Sequence, residues 1–247
     1  MRFLFIALLT ICTTVLFAQD YDALEGKGTD AYIERDFATA AEYFKQALDL
    51  RPGYGVANFN YGYTIAITGE LLIGLDHINR AIELEPDSMY YYFNRAEIKD
   101  ALGDIDGVIS DINKFLEFGV DQGYGHMMLV KAHYTQRDYD DMNAELKKAE
   151  TFFDDLPQDY YYYKAEMENG KGEYFKAIQT ASTCIKMDDT WHAPYFTRGL
   201  AFYNAGKYEQ SIKDYSVYLE TADTDDIAYS NRGLAKEMSG NVDGAIA

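Results

Sequence analysis

Four histidines, His77, His126, His133 and His192, are the first place to look for acid–base or metal chemistry. On a helix His126 and His133 would lie two turns apart and share a face. A metal site needs further ligands at set spacings, and no H-E-x-x-H or paired-cysteine pattern supplies them. The acid pairs Asp154-Asp155, Asp188-Asp189 and Asp225-Asp226 would suit calcium or paired-carboxylate catalysis. None sits in a D-x-D-x-D-G frame, and helix starts recruit acids for capping and dipole reasons. There is no glycine-rich phosphate loop and no G-x-S-x-G nucleophile turn. The sequence therefore predicts no catalytic residues, no metal ligands, no cofactor and no enzyme activity. Tyrosine is the remaining candidate: 23 are present, with runs at Tyr160–Tyr163 and Tyr90–Tyr92. Such runs either stack on a ligand or fill a core. Four consecutive helical residues spread over about 300° of azimuth, so a run cannot form one stacking patch.

What must position these residues is a chain of 247 residues, 48% hydrophobic, with 22 Lys and Arg against 41 Asp and Glu. A formal charge of −19 would repel a phosphate backbone or an anionic lipid surface, so nucleic acid is excluded as a partner. At the N-terminus one cation, Arg2, precedes an uncharged stretch from Phe3 to Gln19. That pattern predicts a secretory signal over residues 1–18, cut between Ala18 and Gln19. The alternative is a retained anchor, for which the stretch is short and diluted by Thr10, Thr13 and Thr14. Cys12 follows the bulky Ile11, a poor lipoprotein signal. Cleavage would leave an exported chain, periplasmic or extracellular, with Cys184 as its sole cysteine and no membrane span. No internal disulfide would then form, and packing alone would hold the fold.

The chain is one unit repeated. Pro52 and Pro86 are 34 residues apart and close two similar phrases, AEYFKQALDLRP and LDHINRAIELEP. The same shift aligns the rest, with units beginning at Tyr21, Gly55, Met89, Gly123, Gln158, His192 and Asp226. One extra residue, near Leu156–Pro157, breaks the register. Position 8 of each unit reads Gly28, Gly62, Ala96, Val130, Ala165, Gly199 and Gly233; position 20 reads Ala40, Gly74, Val108, Met142, Ala177, Ser211 and Ala245. Two stretches of helical periodicity per unit meet at turns such as Gly69-Glu70, Gly103-Asp104, Gly172-Glu173, Gly206-Lys207 and Gly240-Asn241. Small residues mark close helix approach, and bulky residues at positions 17 and 24 fill the space beside it. No unit could bury its apolar face alone, so stacking is required.

This pattern resembles the tetratricopeptide repeat family, which carries small residues at positions 8, 20 and 27 and often proline at 32. The resemblance spans residues 21–247 and implies an all-α α-solenoid of about six complete helix–turn–helix repeats and a truncated seventh. Val108, Met142 and Phe115 are large where the family is small. Repeat seven stops within its second helix, at NVDGAIA. The expectation is that the natural chain continues; the alternative is that the open end docks another subunit, giving end-to-end self-association.

In that family His126 and His133 occupy core positions, and Cys184 is a small core residue. Tyr92 and Tyr161 take the core slot at position 4, leaving Tyr90, Tyr160 and especially Tyr163 as unusual. Arg95, Arg198 and Arg232, at position 7, are expected to pair with acids of an adjacent helix. The resemblance also implies a concave peptide-binding groove lined by the first helices. Its candidate residues are Phe59, Asn60 and Tyr63 in repeat two, then Tyr90, Phe93 and Asn94 in repeat three. Met127, Lys131 and Tyr134 follow from repeat four, Tyr162 and Tyr163 from repeat five, Phe196 and Tyr203 from repeat six, and Asn231 from repeat seven. A lysine/asparagine carboxylate clamp is absent, since its early positions hold Glu25 and Thr29. The implied function is a non-catalytic protein-interaction scaffold of the bacterial envelope, its protein or peptide partner unnamed. The alternatives are a small-ligand or glycan binder, or the extracytoplasmic sensor of a longer regulator.

Overall fold

A computed structural model describes residues 20–240. The signal segment with its cleavage point, Cys12, and the start of the last repeat's second helix with Val242 and Ala245 lie outside the described residues. Within them every element is a helix, and none is long and apolar enough to cross a membrane. The chain divides into two compact units at Val120/Asp121.

The first unit holds α1 (residues 20–33), α2 (Phe37–Leu50), α3 (Gly55–Ile67), α4 (Leu71–Leu84), α5 (Met89–Leu102) and α6 (Ile105–Leu116). They form three antiparallel hairpins, and each later hairpin packs on the one before. Helices α3 and α4 approach closely. A Cβ at Gly74 would stand 2.5 Å from the Gly62 carbonyl oxygen and 2.7 Å from the Ala66 Cβ. Where position 8 is small, a large residue at position 24 can fill the space beside it. Gly28 lies under the Phe44 ring, and in repeat three the residues at these two positions, Ala96 and Ile112, are both fully buried.

The second unit holds α7 (Gln122–Gln136), α8 (Tyr139–Ala149), α9 (Gln158–Gly170), α10 (Tyr174–Met187), α11 (Ala193–Asn204), α12 (Tyr208–Tyr218) and α13 (Asp226–Met238). Gly199 likewise admits the Tyr215 ring and Val130 shares a core cluster with Leu146, whereas in repeat five both positions are buried alanines, Ala165 and Ala181. The residues that are large for their positions, Val108, Met142 and Phe115, are all buried. The extra residue near Leu156 lies in the α8–α9 connection, where Leu156 packs against the cluster around Tyr160.

Turn chemistry gives some of the aspartates a capping role. Asp36, Asp104 and Asp138 each accept a hydrogen bond from a backbone N–H of the second helix in their repeat, at 3.0–3.1 Å, and Asp225 caps α13. The hairpin turns need one left-handed residue. Gly69, Gly103, Gly172 and Gly206 supply it, but in repeats one and four Arg35 and Arg137 adopt it at φ 64° and 58°.

Position 7 ties neighbouring helices together, and at Arg95 and Arg198 it does so through an acid of the adjacent helix, as the sequence suggests. Arg95 makes a bidentate pair with Asp111 (2.5 and 2.8 Å) and a third bond to Asn79 of the preceding repeat. Arg198 repeats this with Asp214 (2.7 and 2.8 Å) and Ser182, and Arg232 reaches Ser216.

The tyrosine runs need a correction. Position 3 is buried in repeats two to seven, occupied by Ala57, Tyr91, Gly125, Tyr160, Pro194 and Ala228. Tyr160 is therefore core, only 1% exposed, while Tyr161 is half-buried beside it. At Tyr91 and Tyr160 the reason is that position 3 meets the end of the preceding repeat within the same unit. Tyr91 donates to Glu85 at 2.9 Å and Tyr160 to Glu150 at 3.1 Å, satisfying hydroxyls that burial has taken from water.

Candidate functional site

In the first unit, three first helices present one face. Phe59 and Tyr63, one turn apart on α3, lie parallel with centroids 5.9 Å apart, and Phe59 also packs on Tyr91 at 4.8 Å. Beside them is a cavity of about 220 Å³ lined by Phe59, Asn60, Tyr63 and Thr64 of α3, Thr29 and Tyr32 of α1, and Phe44 of α2. A second, of about 210 Å³, is bounded by Tyr63, Ala66, Ile67 and Leu71 with Glu97, Ile98 and Ala101. Tyr63 is the wall they share. Its hydroxyl donates to Glu97 at 2.9 Å and is also hydrogen-bonded to Tyr32, so one polar chain links three successive repeats. Burial, then the Glu97 charge, pushes the Tyr63 phenol well above its ordinary value. Asn60 reaches toward Glu25 at 3.5 Å.

The other candidates of this unit stand apart from the cavities. Tyr90 is 58% exposed, Asn94 gives its amide to the Tyr90 carbonyl in its own helix, and Phe93 turns inward onto Phe115 at 5.1 Å.

In the second unit the candidates mostly pack on one another. Tyr163 lies 5.5 Å from Tyr134 and 5.2 Å from Tyr162, and Tyr162 continues to Trp191 at 4.9 Å. Under these rings is Glu166, which accepts hydrogen bonds from Thr197 and Tyr134; burial raises its carboxyl above the ordinary range. Met127 joins the core around Val130, and Lys131 is exposed. Phe196 packs on Tyr215 and Tyr218, Tyr203 on Tyr208, and Asn231 is hydrogen-bonded to Tyr215.

Contributors not named as groove residues from sequence include Tyr32, Phe44, Glu166 and Trp191. Tyr32 and Glu166 occupy positions 12 and 9, both groove positions, so extending the register through every repeat would have found them. Phe44 and Trp191 lie outside those positions.

The remaining histidine, cysteine and acid candidates lie in packing and capping positions. His126 is buried, bonded to Glu145 at 2.6 Å and stacked on Phe152. Cys184 is buried, and burial pushes its thiol up to about 12. Among the described residues one group of three ligand-type side chains occurs, His133, Asp138 and Asp141. It is the cap of α8, in which the Asp138 carboxylate is already bonded to the Asp141 N–H.

No protein-family model matches the chain. A human protein, tetratricopeptide repeat protein 6, is 25% identical over 169 residues, covering 64% of this chain and 32% of its own length. The chain spans about a third or less of the curated relatives it matches. Among solved structures, a tetratricopeptide repeat protein from Parabacteroides merdae superposes with TM-score 0.73 at 19% identity, covering 92% of this chain and 90% of that one. YrrB, described as a TPR protein with an unusual peptide-binding site, gives TM-score 0.60 at 14% identity over 76% of this chain and 96% of its own. The 34-residue register, the paired helices and these likenesses agree: the chain is an array of tetratricopeptide repeats.

Proposed function

We propose that this protein is a non-catalytic interaction adaptor that holds a peptide segment of a partner on the first-helix face of its first unit. The observation that carries the reading is the pair of cavities sharing Tyr63, walled by aromatic and aliphatic side chains with a few fixed polar groups. A peptide gains most from such a surface, because rigid aromatics supply contact area at low entropic cost. The peptide-binding site described for YrrB supports the reading. We further propose that the chain works after export, in the bacterial envelope, on the strength of the Arg2 to Gln19 pattern. N-terminal sequencing of protein recovered from its native host tests this; an intact Met1 in the envelope fraction would count against cleavage.

The binding test uses a displayed library of random 12-residue peptides against the full chain, repeated with Thr29→Trp. Thr29 is exposed on the wall of the first cavity, so the indole fills that cavity without removing core. Peptides captured by the parent should be lost with the filled variant while helical circular dichroism is unchanged. Equal capture would place binding elsewhere.

A further inference from the structure

We propose that the second unit carries a separate site for a small organic cation, a quaternary ammonium head held by the Glu166 carboxylate and the rings of Tyr134, Tyr162 and Trp191. The site lies within the second unit and does not depend on the peptide reading of the first. Glu166 stands at position 9 of its repeat, a groove position, and is largely buried while keeping part of its surface in solvent. Its carboxylate accepts hydrogen bonds from the hydroxyls of Thr197 on α11 and Tyr134 on α7, so groups from two other helices hold it. Both donors are neutral. Among the described residues no Lys, Arg or His pairs with Glu166 or acts on its charge. In the same unit the buried Asp214 is paired with Arg198, and the buried Glu145 with Lys148. A carboxylate withdrawn from water without a cation is costly, and burial raises this carboxyl accordingly. A cation brought by a ligand would supply the missing charge.

The surroundings of that carboxylate are aromatic. Tyr134 and Tyr162 meet at 6.4 Å with planes 67° apart, and Trp191 leans on Tyr162 at 4.9 Å and 48°. The Glu166 charge acts on the Tyr162 phenol, which sets that ring beside the carboxylate. Crossed planes of this kind turn ring faces in several directions, and all three rings keep some surface in solvent. A cation over such faces is attracted by the ring quadrupole, most strongly over Trp. The quaternary head suits this chemistry best. Its N-methyl groups need no acceptor, whereas a primary ammonium is compact and strongly hydrated. A metal ion would need further ligands, and among the described residues no His, Cys or second acid joins Glu166 in a ligand group.

Trp191 is the sole tryptophan of the chain, so its fluorescence reports on this site directly. The full chain is titrated at mildly alkaline pH with choline, with neohexyl alcohol (its uncharged carbon isostere), and with sodium chloride at matched ionic strength. Choline should give a saturable change, and the alcohol should bind about 10-fold more weakly. Glu166→Gln keeps an oxygen to accept from Thr197 and Tyr134, so it removes the charge and retains the packing. It should weaken choline about 10-fold and leave the alcohol unchanged. Tyr162→Leu should also weaken choline while helical circular dichroism is unchanged. The comparison of choline with the alcohol on the parent needs no variant, so it decides the matter even where a variant fails to fold. Equal responses to choline and sodium chloride, equal binding of choline and the alcohol, or full choline binding by Glu166→Gln would overturn the inference. Each of these outcomes leaves the peptide reading of the first unit standing.

Discussion

Gly74→Ala tests the claim that hairpin geometry is set by backbone contact between α3 and α4. The added methyl would lie 2.5 Å from the Gly62 carbonyl oxygen, 2.7 Å from the Ala66 Cβ and 3.2 Å from the Ala66 Cα. Backbone atoms of a packed helix cannot swing aside, so the helices must separate. Overpacking of this kind costs about 1–3 kcal/mol. Alanine offsets up to about 1 kcal/mol of that through helix propensity. The net expectation is a loss of about 1–2 kcal/mol, concentrated in one hairpin. Gly26→Ala in α1 is the control, since its Cβ would meet nothing within 4 Å and only the propensity gain should remain. Urea titration of the full chain gives the two signs. Because repeat arrays open locally, hydrogen exchange should show the Gly74→Ala loss in α3 and α4 first. If Gly74→Ala matches or exceeds the parent as Gly26→Ala does, the close-contact account of positions 8 and 20 is wrong.

The two arginine networks should separate by their spare cation. In Arg95→Met, Lys99 remains 2.9 Å from Asp111, whereas among the described residues no second cation pairs with Asp214. Arg198→Met should therefore cost about 3 kcal/mol in urea titration and Arg95→Met clearly less; equal losses would refute the spare-cation argument. Cys184, with its thiol raised to about 12, should resist alkylation at pH 8 until denaturant is added, as read by mass spectrometry of the labelled peptide. Burial raises the Glu166 carboxyl, so its contribution to stability is full below the unfolded carboxylate value and is lost as pH rises through the higher folded value. The melting temperature of Glu166→Gln relative to the parent should accordingly climb with pH through that window, and a flat or falling difference would contradict it.

The fold was legible because its signal is periodic. Pro52 and Pro86 set the repeat, and residue size at positions 8 and 20 marked where backbones meet. The individual tyrosines were not legible. α9 carries aromatic side chains all round its first turns, so amphipathic reasoning cannot say which one the preceding repeat covers. Tyr160 is buried by the end of repeat four, a contact encoded outside α9. Glu166 was legible as a position but not as a buried acid, since Thr197 of the next repeat donates to it and Tyr134 and Tyr162 lie beside it. The turns of repeats one and four also gave no glycine to read, because Arg35 and Arg137 take the left-handed conformation themselves.

The same register explains why one unit has a cavity where the other has packed rings. Positions 12, 5, 6 and 9 of successive repeats are Tyr32, Phe59, Asn60 and Tyr63 in the first unit, and Tyr134, Tyr162, Tyr163 and Glu166 in the second. The telling difference is at position 6. Asn60 is short and leaves about 220 Å³ beside Tyr32, whereas the Tyr163 ring stands 5.5 Å from Tyr134. Asn60→Tyr should then close the first cavity with an edge-to-face contact to Tyr32, leaving stability level or raised by about 1 kcal/mol. Tyr163→Ala should do the reverse, costing about 2 kcal/mol as the Tyr134 and Tyr162 edges lose their partner. A peptide selected on the parent chain should lose affinity for Asn60→Tyr and keep it for Tyr163→Ala. The opposite pattern would move the binding face to the second unit and make its aromatic cluster, rather than the Tyr63 cavities, the surface that meets the partner.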